Sequence, residues 1–417
     1  MSRLPNFLNC RAPVVFALLL VFGAAGPAAA SFDPPPDPST TGPWAVGHMA
    51  FPAVDADRGD RTLAVELWYP VDPATAVGEA TFYELLVIFG LSFGITSDVA
   101  IDDLPPTEHF RPLILFSHGA GGINIQSIDL METLASHGFV VISPNHTGNS
   151  TFDEEGDVPY EDPATDRPKD LSFLIDLMLD RNGDPADPFF LKLNPFAIGV
   201  TGHSFGGFSA LAMAAGYETS AFGPVPPDPR VRAILPVSGT SGLFSDDELK
   251  SIRIPALFLG GTADTSVPID PNTTRPFGLM KSKALYRADI IGAAHTHFAN
   301  ICDIAQVLID INIPPEVWPA IGAGALVGPY EQTCIPPAFP LPEAVRIQNL
   351  YTVSFFRTHL LLDLRYKPFL TVAYADANEP DVNFFVAGVP KCGLGYELAF
   401  VLPAIMWLRR RRSGTRA

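Results

Sequence analysis

The chain has 417 residues and a net charge of −18, from 27 Lys and Arg against 45 Asp and Glu. Hydrophobic residues make up 47% of the sequence and charged residues 17%, which excludes a chain that is disordered overall, because too much apolar surface would stay in water. The acidic excess would repel a phosphate backbone and so excludes nucleic acid as the expected partner. The length fits one large α/β domain or two to three average domains.

The first 30 residues have the pattern of a secretory signal peptide. Arg3 and Arg11 precede an apolar run at 14–22, and three alanines at 28–30 end the segment. We expect cleavage there and export of the mature chain. The alternative is an uncleaved anchor, although the apolar run falls short of the roughly 20 residues that span a bilayer. The proline-rich stretch 31–43 predicts an extended leader.

The predicted folded domain covers residues 44–385. Apolar and polar residues alternate at 62–69, which predicts a half-buried strand. The stretch 78–110 breaks this rhythm with an apolar patch at 85–89 and a pair of prolines. We predict that this stretch is an insertion that forms either a lid or a buried helix bracing the sheet.

From residue 112 onward, strand-like and helix-like segments alternate. The predicted strands are 113–116, 140–142, 197–200, 233–237 and 256–259, and the predicted helices are 126–137, 169–179 and 207–215. This alternation predicts an α/β fold with a mostly parallel sheet and helices on both faces.

The motif with the clearest chemistry is G-H-S-F-G at 202–206, directly after the strand predicted at 197–200. A G-x-S-x-G motif between a strand and a helix presents its serine on a sharp turn, and the glycines remove Cβ atoms that the turn would crowd. Ser204 is therefore the predicted nucleophile.

A glycine-rich turn at 117–122 follows the strand predicted at 113–116. A serine hydrolase needs two backbone N–H donors for the oxyanion of its tetrahedral intermediate, one after the nucleophile and one from an earlier loop. We predict an oxyanion hole formed by Ala120 and Phe205. The alternatives are a plain strand-to-helix connection or a phosphate cradle, although the Lys-Ser/Thr ending of a P-loop is missing.

An acid and a histidine follow the serine in the chain. Asp264 comes just past the strand predicted at 256–259 and is predicted to orient an imidazole, with Asp270 as the weaker candidate. Taken alone, Asp264 would be predicted to cap a turn. His295 is the predicted base, in preference to His297. The order of serine, acid and histidine is that of α/β-hydrolases.

Two cysteines of the predicted domain, Cys302 and Cys334, are expected to form a disulfide, because an exported chain folds in an oxidising compartment.

The C-terminal segment 386–417 joins a Cys-Gly motif at 392–393, an apolar stretch and four consecutive arginines. It resembles the C-terminal sorting signals of Gram-negative bacteria, in which a membrane protease cuts near the motif. A plain tail anchor in the membrane is the alternative.

The chain resembles the platelet-activating-factor acetylhydrolase and dienelactone-hydrolase-like branch of the α/β-hydrolases. The resemblance rests on F-S-H-G at 116–119, G-H-S-F-G-G at 202–207 and G-A-A-H-T-H-F at 292–298, and it covers about residues 44–370. It implies the α/β-hydrolase fold, and it supports His295 because the first histidine of the last motif is the base in that branch. True dienelactone hydrolases have cysteine where Ser204 stands, so their substrate is not implied.

These observations predict an exported serine hydrolase that cleaves a small-molecule ester or a lipid through an acyl-enzyme. No cofactor or metal is expected, because no group of histidines and carboxylates has metal-site spacing. His118 and His146 are predicted to be structural loop residues. The alternatives are a lipase, a polyester hydrolase or an acyl-peptide hydrolase, and a non-catalytic surface binding protein on a hydrolase scaffold.

Overall fold

The computed structural model describes residues 33–151, 153, 163–218 and 223–387. The chain divides into two units, residues 1–34 and 35–417, and only residues 33 and 34 of the first unit are described. The predicted signal peptide lies outside the described residues, and so does the predicted C-terminal sorting segment from residue 388 onward.

The described part of the second unit is built on an eleven-stranded sheet. Its strands are β1 (Ala45–Asp55), β2 (Arg61–Val71), β3 (Ala80–Ile88), β4 (Leu91–Asp102), β5 (Arg111–Ser117), β6 (Val140–Pro144), β7 (Leu193–His203), β8 (Val231–Val237), β9 (Ala256–Gly261), β10 (Leu285–Ile290) and β11 (Val382–Ala387). Their order across the sheet is β11-β10-β9-β8-β7-β5-β6-β2-β1-β4-β3. Neighbouring strands from β10 to β6 run parallel, whereas β11 and β2 are antiparallel to the strands they flank.

The helices lie between the strands in the chain. They are α1 (Ile128–Ser136), α2 (Pro163–Gly183), α3 (Phe205–Ala215), α4 (Asp246–Ser251), α5 (Ile269–Asn272), α6 (Thr274–Leu279), α7 (Ile301–Asp310), α8 (Val327–Thr333), α9 (Leu341–His359) and α10 (Val372–Asn378). Short 3₁₀ helices occupy Ala56–Arg58, His295–Phe298, Pro315–Ile321, Gly324–Leu326 and Leu364–Phe369. None of the helices in the described ranges is both long enough and apolar enough to cross a membrane.

Strand β5 shows how the sheet separates two hydrophobic cores. Ile114 and Phe116 pack with α1 and α9 on one face, whereas Leu113 and Leu115 pack with α2 and α3 on the other. Successive side chains of a strand point to opposite faces, and a strand buried on both faces is apolar throughout. The predicted mostly parallel sheet with helices on both faces is confirmed. The segments predicted from residue 112 onward correspond to β5–β9 and α1–α3, with different ends, and the strand predicted at 62–69 is β2.

The stretch 78–110 forms a β-hairpin, so the predicted bracing helix is wrong. Strands β3 and β4 pair antiparallel, and β4 joins the edge of the sheet beside β1. Phe89 is fully exposed at the tip of the hairpin, and Leu86 packs against the buried cluster of Ala305, Leu308 and Trp318. Within the apolar patch at 85–89, Leu86 contacts the 301–334 segment, whereas Val87 and Phe89 are exposed.

The disulfide predicted between Cys302 and Cys334 is present, with the two Cα atoms 5.6 Å apart. It connects the start of α7 to the residue that follows α8. The hydroxyls of Thr333 and Thr296 lie 2.5 Å apart, which attaches the end of α8 to the 3₁₀ turn at His295–Phe298. The 301–334 segment is thereby fastened to the loop that carries the predicted base.

Candidate active site

The predicted site residues follow the carboxyl ends of four parallel strands. The glycine-rich turn follows β5, Ser204 follows β7, Asp264 follows β9, and His295 follows β10. Because β5, β7, β8, β9 and β10 lie side by side and run parallel, these loops leave the same edge of the sheet. That edge is where open α/β sheets bind their ligands.

Ser204 occupies the sharp turn between β7 and α3. Its backbone has φ 57° and ψ −116°, a conformation that a residue with a side chain rarely adopts. A Cβ at Gly206 would lie 1.7 Å from the Ser117 carbonyl oxygen, and one at Gly202 would lie 2.4 Å from the same atom. Both glycines are therefore required by close backbone approach, and strained backbone of this kind is concentrated at functional sites.

Asp264 and His295 are in direct contact. The Asp264 Oδ2 lies 2.7 Å from the His295 Nδ1, and the carboxylate is buried while the imidazole keeps 13% of its surface exposed. The second carboxylate oxygen accepts backbone N–H bonds from Ser266 at 2.9 Å and Val267 at 2.7 Å. Burial alone would raise the pKa of Asp264, but the hydrogen bond and charge of His295 hold it below its ordinary value. The arrangement keeps the Nδ1–H of His295 toward the acid and leaves Nε2 as the basic nitrogen.

The two weaker candidates lie apart from this pair. His297 is buried, its Nδ1 accepts from the Ala294 N–H at 3.0 Å, and its Nε2 donates to the Phe339 carbonyl at 2.9 Å. Both ring nitrogens are used, and burial lowers the pKa of His297. Asp270 is exposed in α5. The geometry favours Asp264 over Asp270 and His295 over His297.

The Ser204 loop and the His295 loop meet through His203. The His203 Nε2 lies 2.8 Å from the backbone oxygen of His295, and the two rings are 4.5 Å apart between centroids. Among the described residues, the Ser204 hydroxyl and the His295 ring form no hydrogen bond with each other.

Ala120 lies in the glycine-rich turn after β5, and Phe205 directly follows Ser204. A Cβ at Gly119, the residue before Ala120, would be 3.5 Å from the Ser204 Cβ. The Gly119 carbonyl accepts from Arg167 Nη2 at 2.8 Å and from His118 Nδ1 at 2.6 Å. Because the C=O and the next N–H of one planar peptide point in opposite directions, these bonds also fix the direction of the Ala120 N–H. Phe205 is the first residue of α3, where the helix gives its N–H no acceptor.

A second serine, histidine and aspartate are linked in the protein interior, and no sequence motif marks them. Ser117 Oγ lies 2.9 Å from the Nε2 of His146, whose Nδ1 lies 2.9 Å from Asp170. All three side chains are fully buried, so they meet no substrate. Burial would raise the pKa of Asp170, but Arg61 and His146 hold it well below its ordinary value. Burial and these hydrogen bonds favour a structural role for His146.

His118 belongs to the same buried network. Its Nδ1 bonds the Gly119 carbonyl, and its Nε2 accepts from the His146 N–H at 3.1 Å. Burial lowers the pKa of both His118 and His146, and that of His146 falls to about 4, so both rings are neutral near pH 7. No group of three or more potential metal ligands occurs in the part of the chain that the structure describes.

The strand order of the sheet, the sharp turn at Ser204 and the placement of the loops after the parallel strands define an α/β-hydrolase fold. The protein-family model described as Chlorophyllase matches residues 103–242, which include the glycine-rich turn and Ser204. A ferulic acid esterase from Streptomyces cinnamoneus has a similar solved structure, with a TM-score of 0.59 and 22% sequence identity over 85% of this chain and 100% of that chain. No curated protein matches the sequence significantly. The predicted fold is confirmed, and the acetylhydrolase-like branch stays a prediction.

Proposed function

We propose that this protein is a serine hydrolase that cleaves carboxylic esters through an acyl-enzyme intermediate. The observation that carries the proposal is the 2.7 Å contact between Asp264 and His295, in the loops after β9 and β10. These loops leave the same edge of the sheet as the strained turn after β7 that presents Ser204. A nucleophile, a base and a group that orients the base are the three parts that serine catalysis needs.

In the proposed acylation step, the His295 Nε2 takes the proton of the Ser204 hydroxyl while Oγ attacks the ester carbonyl carbon. The carbonyl oxygen becomes an oxyanion and accepts hydrogen bonds from the Ala120 and Phe205 N–H groups. Asp264 holds the imidazole in the tautomer that accepts this proton and stabilises the imidazolium that results. The intermediate collapses, the alcohol leaves, and the His295 proton goes to the alcohol oxygen.

Deacylation repeats the sequence with water. His295 takes a proton from water, the resulting hydroxide attacks the acyl carbon on Ser204, and the same two N–H groups bind the second oxyanion. Collapse releases the carboxylic acid, and the proton on His295 returns to the Ser204 oxygen. The cycle is balanced by one water molecule and uses no cofactor.

The proposed substrate is a small-molecule ester or a lipid. The Chlorophyllase family model and the likeness to a ferulic acid esterase support ester hydrolysis as the reaction class. They leave the acyl and alcohol groups open, and the triad alone does not separate a short-chain esterase from a lipase or a polyester hydrolase. A panel of p-nitrophenyl esters of increasing acyl length, with methyl ferulate added, ranks these possibilities by kcat/KM.

We also propose that the chain is exported to the cell envelope, the cell surface or the medium, and that a sorting protease removes the C-terminal segment. The disulfide between Cys302 and Cys334 supports an oxidising compartment. Intact mass of the mature protein tests this. Loss of residues 1–30, with a new C-terminus near Cys392, is expected, and a chain that keeps its apolar C-terminal stretch would instead be a tail-anchored protein.

Replacement of Ser204 with alanine tests the function itself. The variant is expected to lose hydrolysis of a short p-nitrophenyl ester by at least about 1000-fold while unfolding at the wild-type temperature, because only the nucleophile has been removed. Retained hydrolysis in the purified variant would refute the proposal. A wild-type protein that neither hydrolyses esters nor reacts with a fluorophosphonate at Ser204 would instead be a binding protein on a hydrolase scaffold.

A further inference from the structure

The side chain of Gln126 connects the three loops that carry the proposed catalytic groups. Its Oε1 accepts from the Gly119 N–H at 2.9 Å, and its Nε2 lies 2.8 Å from the His203 Nδ1. The His203 Nε2 in turn lies 2.8 Å from the backbone oxygen of His295. Gln126 is 7% exposed and His203 is 4% exposed, so water does not compete for these bonds.

The two ends of this chain of hydrogen bonds fix the direction of every bond within it. The Gly119 N–H can only donate, so the Gln126 oxygen faces it and the Gln126 amide NH₂ donates to the His203 Nδ1. His203 then carries its proton on Nε2 and donates to the His295 carbonyl, which can only accept. One tautomer and one amide orientation satisfy the whole chain.

The protonation state of His203 agrees with this assignment. Burial, together with the nearby His295 ring, lowers the pKa of His203 to about 3, although the hydrogen bond to the His295 carbonyl and the charge of Asp264 oppose the shift. The ring is therefore neutral near pH 7 and has a single N–H to donate.

The backbone around Gln126 is held by the residues that follow His295. The Asn300 N–H donates to the Gln126 carbonyl at 2.6 Å, and the Ser127 hydroxyl donates to the Phe298 carbonyl at 2.8 Å. The Asn300 side-chain oxygen also accepts from the N–H of Ile128 at 2.7 Å, at the start of α1. Gln126 thus extends from a segment that contacts residues 298–300, and its side chain links this segment to the oxyanion loop and, through His203, to His295 itself.

We propose that Gln126 is a positioning residue for ester hydrolysis, which holds the oxyanion loop through Gly119 and the His295 loop through His203. The proposal rests on the proposed function. Gln126 does not touch the ester, because both ends of its amide are engaged by protein groups. Its effect is to keep the Ala120 N–H and the His295 ring in their places on the two sides of Ser204, where a displacement of about 1 Å costs on the order of 100-fold in rate.

Gln126→Leu tests this proposal, since leucine fills similar space and removes both hydrogen bonds. We expect kcat per active site, counted by fluorophosphonate titration, to fall about 10- to 100-fold, with KM within about twofold of the wild type. The Ki of phenylboronic acid, which forms a tetrahedral adduct with serine, is expected to rise by a similar factor. A purely structural role would reduce the number of titratable sites and leave kcat per site and Ki unchanged, and that result would overturn the proposal.

Gln126→Glu provides a second test of the proposal if the Gln126→Leu variant does not fold. The carboxylate still accepts from the Gly119 N–H but offers no donor to a neutral His203, so kcat per site is expected to fall here too, and wild-type kcat would overturn the proposal. Gln348→Leu is the matched control. Gln348 is 3% exposed and its Nε2 has no hydrogen-bond partner among the described residues, so this variant is expected to keep kcat and Ki.

The two proposals fail in different ways. If wild-type protein shows no ester hydrolysis that depends on Ser204, the proposed function is wrong, whatever Gln126 does. If hydrolysis depends on Ser204 and both Gln126 variants keep wild-type kcat per site and Ki, the function stands and the positioning role is wrong.

Discussion

The Asp264→Asn variant probes the contact on which the proposed mechanism depends. In the wild type, one carboxylate oxygen accepts two backbone N–H bonds, from Ser266 and Val267, and the other faces the His295 Nδ1. An asparagine at this position keeps both backbone bonds only if its oxygen faces them, which turns its NH₂ toward His295. Two donors cannot pair, so the imidazole proton moves from Nδ1 to Nε2 and the ring can no longer accept the Ser204 proton.

The size of the effect follows from the same contacts. The opposite amide orientation would restore the tautomer with its proton on Nδ1, but it would leave the two backbone N–H groups facing an NH₂. Each N–H group left without an acceptor costs about 1–3 kcal/mol. The wrong tautomer should therefore dominate. We expect kcat to fall about 10³- to 10⁴-fold, which corresponds to ~4–5.5 kcal/mol of transition-state stabilisation, with KM little changed.

The assay is steady-state hydrolysis of a short p-nitrophenyl ester, with thermal unfolding monitored alongside. Asp270→Asn is the matched control, because Asp270 is an exposed aspartate in the helix that follows the same loop, and it is expected to keep wild-type kcat. An Asp264→Asn variant that keeps more than about a tenth of wild-type kcat, or an equal loss in both variants, would refute the assignment of the acid.

Two further predictions concern stability. Burial lowers the pKa of His137 and His146 to about 4 and that of His203 to about 3. Between pH 6.5 and 4 the unfolded chain therefore binds protons that the folded chain does not. As the pH falls through this range, the free energy of unfolding should fall by about 1.4 kcal/mol per pH unit for each histidine. His48 has the opposite effect on stability, because Glu66 and Asp102 raise its pKa against the effect of burial. Urea unfolding at pH 7.0, 5.5 and 4.5 measures the net change in the free energy of unfolding. Equal or greater stability at pH 4.5 than at pH 7.0 would contradict the prediction. Replacing Cys302 and Cys334 together by serine should lower the free energy of unfolding by about 3–4 kcal/mol, because the bond closes a 32-residue separation, and an unchanged urea midpoint would contradict this.

The catalytic candidates were predictable because their signals are local. Ser204 lies in a five-residue motif between a strand and a helix, and the glycines at 202 and 206 that allow its turn belong to that motif. Asp264 and His295 each follow a strand, and parallel strands bring their carboxyl ends to one edge. In such a fold, residues that follow successive parallel strands lie at the same edge of the sheet although they are far apart in the sequence.

The hairpin of β3 and β4 was not predicted as such, because a short apolar run fits a helix and a strand equally well until its pairing partner is known. The supporting network was missed for a different reason. Ser117, His146 and Asp170 come from three separate segments, and Gln126 reaches His203 across 77 residues of sequence. Buried polar side chains of this kind follow no periodicity, since their partners are determined by tertiary packing.

The most direct test of the central claim is to trap the acyl-enzyme. Wild-type protein mixed with p-nitrophenyl acetate and quenched in acid within milliseconds should gain one acetyl group, and peptide mass spectrometry should place it on Ser204. Protein carrying Asp264→Asn should gain it far more slowly, and protein carrying Ser204→Ala should not gain it there at all. Hydrolysis that proceeds with no acetyl group on Ser204 at any quench time would contradict the account.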